Sequence, residues 1–110
     1  MNVTAAYDEL TTELEELGVT KSSMFGMAVL KLGKKPILGL VHDGINFKLK
    51  QGTSAFDEAL NLEGAHQFRP SMHGKDGPLM KQWIVLPMQN QARYLEFAHE
   101  SFKFVESETK

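Results

Sequence analysis

The sequence predicts an α+β domain of two layers, an antiparallel sheet of about five strands with helices on one of its faces. Three observations carry that expectation. Apolar residues three and four apart form helical stripes at both ends of the chain. Between Phe25 and Lys50, short apolar runs follow one another with only tight-turn residues between them, the pattern of an antiparallel meander. A length of 110 residues, 42% of them hydrophobic and 24% charged, suffices for one hydrophobic core and not for two. Residues 1–110 are therefore read as a single domain, and no repeat, low-complexity segment or linker divides them.

In order along the chain, Val3, Ala6, Tyr7, Leu10, Leu14 and Leu17 mark the buried side of a first helix, with its glutamates on the other side. Gly18 can take positive φ and is expected to end that helix. Phe25 to Leu32 reads as a strand, Gly33-Lys34-Lys35 as a turn and Pro36 to His42 as a second strand, with Pro36 at its opening. Asp43-Gly44 suits a tight hairpin turn, after which Ile45, Phe47 and Leu49 alternate with Asn46, Lys48 and Lys50 in a third strand. Thr53 or Ser54 can cap a short second helix carrying Phe56, Ala59 and Leu60 on one side, and Gly64 closes that region. Ala65 to Arg69 is a brief strand, and Pro70 to Pro78 is a loop rich in Gly, Pro and Ser. Lys81 to Leu86 is another strand, broken by Pro87. A last helix from about Asn90 to Val105 places Tyr94, Leu95, Ala98, Phe102 and Val105 on its stripe, with Phe97 and Phe104 outside it, and a polar tail that frays.

Composition narrows the function classes. There is no cysteine, hence no disulfide, no thiolate metal site and no cysteine nucleophile. The first residues lack the pattern of a signal peptide, and no apolar run approaches the ~18 residues that crossing a bilayer takes. A cytoplasmic protein with no membrane partner is the expectation. Charge is segregated along the chain: residues 1–20 carry five carboxylates and no base, residues 21–86 nine bases and five acids. That middle segment is far less basic than dedicated nucleic-acid binders.

Candidate sites follow from these patterns. His42, His66, His73 and His99 show no i, i+3 or i, i+4 spacing, so metal binding is not expected, and only a convergence of His42, Asp43 and His73 would revive it. The adjacent carboxylates Glu15-Glu16 and Asp57-Glu58 read as solvated helix faces, and no serine lies in a nucleophile-elbow context. No catalytic residue and no cofactor is assigned. Arg69, His73, Lys75 and Lys81 gather in or beside the 70–78 loop and, extended by Lys48 and Lys50, make a candidate anion or partner surface; the plainer reading is a shaped crossover. The first two expected strands are apolar on both alternating sets, so one face needs a cover. Leu30, Leu32, Leu38 and Leu40, with Phe97 and Phe104 of the last helix, are the candidate dimer or partner surface. A wrapping helix or loop would serve equally well.

The residues Met24-Phe25-Gly26-Met27, the Gly33-Lys34 turn, Lys48-Leu49, Gly74-Lys75 to Pro78, Met80, Trp83 and Pro87 resemble, in order and spacing, the N-terminal domain of the TfoX/Sxy competence regulators. The likeness spans nearly the whole chain. It implies helix, three strands, helix, two strands and helix around one antiparallel sheet, an architecture similar to type III secretion chaperones. Full-length regulators also carry a helical C-terminal domain, which the resemblance of residues 1–110 does not extend to, and the family supplies no catalytic residues, so the resemblance implies a domain rather than an activity. The resulting expectation is a non-enzymatic regulatory or adaptor domain that binds protein and is homodimeric. A nucleic-acid-associated factor touching phosphates through the basic loop is the alternative. A small-ligand binder with a pocket near Phe25, Trp83 and the 70–78 loop is a further one.

Overall fold

A computed structural model describes residues 2–24, 26–72 and 75–108, with the backbone alone at 71–72 and 75–76. The elements are α1 (Val3–Glu15), β1 (Val19–Met24), β2 (Met27–Leu32), β3 (Lys35–Val41), β4 (Gly44–Lys48), α2 (Ser54–Leu60), β5 (His66–Phe68), β6 (Ser71–Met72), β7 (Lys75–Asp76) and β8 (Met80–Pro87). A 3-10 segment, η1 (Met88–Arg93), then leads into α3 (Tyr94–Glu108). Six strands form one open antiparallel sheet in the order β1-β2-β3-β4-β8-β5, and β6 and β7 pair with each other. The fold is the expected α+β arrangement with one strand more than the sequence indicates in its main sheet.

That extra strand is β1. Its register runs from Val19 opposite Leu32 to Met24 opposite Met27, so the meander begins before Phe25. The first helix is correspondingly shorter than expected, ending at Glu15, and Gly18 at φ 91° turns the chain into β1. Asn2 caps α1, its Oδ1 accepting from the Ala5 amide at 2.8 Å. Thr53 caps α2, its hydroxyl accepting from the Phe56 amide at 3.2 Å.

Helices cover one face only. The buried residues of α1 (Ala6, Tyr7, Leu10, Leu14), of α2 (Phe56, Ala59) and of α3 (Tyr94, Phe97, Ala98, Val105) join Leu30, Leu38, Ile45, Phe47, Ile84 and Leu86 of the sheet in one core. Phe47 lies at its centre, with ring centroids 5.5 Å from Tyr94 and 6.3 Å from Phe97. Two buried hydroxyls tie helices to the sheet: Tyr7 donates to Val29 O at 3.1 Å and Tyr94 to Leu86 O at 2.6 Å. On the opposite face, the paired row Val29, Gly39, Asn46 and Val85 is also buried.

These placements correct the expected partner surface. Leu30, Leu38 and Phe97 are 0% exposed. Leu32 and Leu40 are partly buried against the same core. Strand alternation decides this: the leucines belong to the set that α1 and α3 cover, and the set turned away holds Val29 and Gly39 instead. In α3 the stripe is Tyr94, Phe97, Ala98, Ser101 and Val105, which turns Leu95 outward at 42% exposure.

Candidate functional site

A hollow lies between α1 and the junction of η1 with α3. On one side, Ala6 and Leu10 form the border of the buried stripe of α1, while Glu9, Thr12 and Glu13 follow on its exposed flank. On the other side, η1 is held by contacts of its own. The side-chain amides of Gln89 and Asn90 both donate to Glu63 O, at 3.1 and 2.8 Å, and Met88 N donates to Asp43 O at 3.3 Å. Asn90 departs from helical geometry, with φ -101° and ψ 16°, and this bend delivers Ala92, Tyr94 and Leu95 to the wall facing α1. The groove encloses about 310 Å³, a size at the lower end of ligand-binding clefts.

Its far wall is braced by an ion triad. Arg93 donates to both oxygens of Glu96, at 2.7 and 2.9 Å, pairs with Glu58 of α2, and lies 5.2 Å from the Phe97 ring centroid. The Arg93 hydrogen bond holds the Glu96 carboxyl below its ordinary range, and the bonds to Glu96 and then Glu58 hold the guanidinium proton more firmly than usual. Across the groove the charge is uncompensated. Asp8 is paired with Lys21 at 3.8 Å, whereas Glu9, Glu13, Glu15 and Glu16 make no ion pair among the described residues. The site is thus an apolar floor with a carboxylate rim, suited to an apolar group that carries positive charge.

The residues expected to form an anion surface are placed differently. Arg69 is exposed but donates to Gly77 O at 2.8 Å, which fixes the loop. Lys48 is 3.5 Å from Glu108 and 5.6 Å from the Phe104 ring centroid, so its charge is balanced inside the molecule. Lys50 and Lys81 are exposed. His73 lies outside the described residues, as does Phe25, and Lys75 is described by its backbone in β7. Phe104 is half-buried under Lys48 and borders a smaller hollow of about 200 Å³ with Lys50 and Lys103. Trp83, offered as a pocket wall, is 4% exposed. Among the described residues no three His, Asp or Glu side chains gather as a metal site, and no helix is long and apolar enough to cross a membrane.

Sequence reasoning missed the groove. Its only signals were the four-residue spacing of Glu9 and Glu13 on a segment without a base, and the outward leucine at 95. Comparison with known proteins gave no matching family model, no matching curated protein and no matching solved structure.

Proposed function

We propose that this chain is a non-enzymatic protein-interaction domain, a regulatory or adaptor module that works as a homodimer joined edge to edge through β1. The observation that carries this is the open edge of the sheet. β1 has a single neighbour, β2, and Thr20, Lys21, Ser22 and Ser23 are all exposed. The opposite edge, β5, offers three residues, a register shift and a proline two positions beyond, features that blunt pairing.

The hairpin closing on Met24 and Met27 has a two-residue loop, so alternation of the ladder turns the amides of Val19, Lys21 and Ser23 outward. The only charge on this edge, Lys21, is drawn back over the Tyr7 ring and toward Asp8, leaving the strand weakly guarded. A second copy pairing there would join two six-stranded sheets by main-chain hydrogen bonds, the strand-addition mode of recognition. The resemblance to the N-terminal domain of the TfoX/Sxy regulators supports a regulatory role. The pairing of Glu58, one of the adjacent carboxylates, with Arg93 supports a structural part for it in this reading.

Sedimentation equilibrium of the parent and of Ser23→Pro tests the reading. Proline removes an outward amide without touching the core. A dimeric parent and a monomeric, equally folded variant are expected. A parent that stays monomeric at high concentration, or a variant that stays dimeric, would refute the edge-to-edge dimer.

A further inference from the structure

The groove between α1 and η1 has no role in edge pairing, and its charge does nothing for the fold. Glu9 and Glu13 sit at i and i+4, a like-charge spacing that weakens a helix. Glu13 and Glu15 lie in the last turn of α1, where the negative end of the helix dipole favours bases, and that turn holds none. Four carboxylates of α1 and its cap are without an ion pair among the described residues. Facing Glu9 and Glu13 across the groove is Leu95, a large apolar side chain left 42% exposed. An arrangement that costs the isolated chain stability at a concave apolar surface is what a binding site for an oppositely charged partner looks like.

We propose that this groove docks a basic amphipathic helix of a partner protein. One apolar side chain of that helix enters the space of about 310 Å³ over Ala6, Leu10 and Ala92, against Leu95. Its lysines or arginines lie along Glu9 and Glu13. Charge complementarity selects this occupant: a nucleic-acid backbone is repelled by the rim, and an acidic helix meets the same repulsion. An uncharged apolar segment would leave the carboxylates unpaired beside a drier surface. The mode is helix-in-groove recognition, with anchors at helical spacing.

The test uses the full chain and a fluorescein-labelled peptide of about 14 residues with leucine and lysine at amphipathic helical spacing. Two control peptides are the same composition with the apolar stripe scrambled, and glutamate in place of lysine. Fluorescence anisotropy is read at about 50 and about 300 mM salt, together with amide shifts. The amphipathic basic peptide binds, weakens with salt and moves the resonances of residues 6–13 and 91–95. Glu13→Lys and Leu95→Lys each weaken binding about tenfold or more, a change of roughly 1.4 kcal/mol or greater. Glu13→Lys also raises the melting temperature, because it turns a repulsive i, i+4 pair into an attractive one, so its lost binding does not reflect misfolding.

No binding, equal binding of the scrambled peptide, shifts confined to another surface, or variants that bind like the parent would each overturn the proposal. So would concentration-dependent shifts of the same resonances without peptide, which would assign the groove to a second copy. None of these results bears on β1, since Ser23→Pro leaves the groove intact.

Discussion

Asn46 stands in the middle of the sheet with a side chain 0% exposed and neither its Oδ1 nor its Nδ2 hydrogen-bonded. Burying an unpartnered amide costs about 1–3 kcal/mol. Replacement by a branched apolar residue of similar size, Asn46→Val, is expected to stabilise the fold by about 1 kcal/mol, a rise of roughly 4–8 °C in melting temperature by calorimetry. A drop in melting temperature instead would mean that the carboxamide is bonded in solution. Tyr94 is buried in the opposite sense, with its needs met: its hydroxyl donates to Leu86 O, and burial pushes its pKa up to about 12. An unfolded tyrosine ionises near pH ~10. Between pH ~10 and ~12 the unfolded chain therefore loses a proton that the folded chain keeps, and stability falls as pH rises, by on the order of 2 kcal/mol in all. Urea unfolding at pH ~9 and pH ~11.5 reads this loss, and Tyr94→Phe should remove that part of the slope.

Among the elements, the β3–β4 hairpin shows how a correct motif can be placed one residue out of register. Asp43-Gly44 predicts the turn, but the turn residues are His42 and Asp43, and Gly44 opens β4 opposite Val41. The glycine is needed for space, not for φ: a Cβ there would lie 2.2 Å from Leu86 O and 3.0 Å from Pro87 Cα. Both atoms belong to backbone that cannot swing aside. Gly44→Ala is thus expected to cost about 1–3 kcal/mol by forcing β8 away from β4, measured as a lower urea midpoint. The strand β1 escaped notice for a different reason. Val19 is its one fully buried residue and the next four are exposed, so its sequence carries no alternation to read. In α3 both stripes fit the helical period, and packing on the sheet buries the one with Phe97 and leaves Leu95 outside.

For the molecule as a whole, what was legible is what local pattern encodes. The stripe of α1, the cap at Thr53, the meander and the strand before Pro87 are all written in residues close in sequence. The groove is not, because α1 and η1 lie at opposite ends of the described chain and meet only through the core they share. Its chemistry was half visible in Glu9 and Glu13, yet without the facing wall those residues read as a solvated flank. The expected partner surface failed on the same ground, since alternation shows two sets of apolar residues but not which one the helices cover.

The strand order has a temporal consequence as well. The pairings β1 to β4 each span a two-residue connection, whereas β4 must find β8 across the whole stretch from Lys48 to Trp83. Hairpins close in microseconds, and long-range pairing waits on the entropy of closing the intervening loop. A nascent chain that has emerged only through β4 therefore carries a sticky inner strand whose hydrogen-bonding edge any neighbouring polypeptide can occupy. That exposure lasts until synthesis delivers β8, so the interval between these two strands is one in which the chain is open to misassociation.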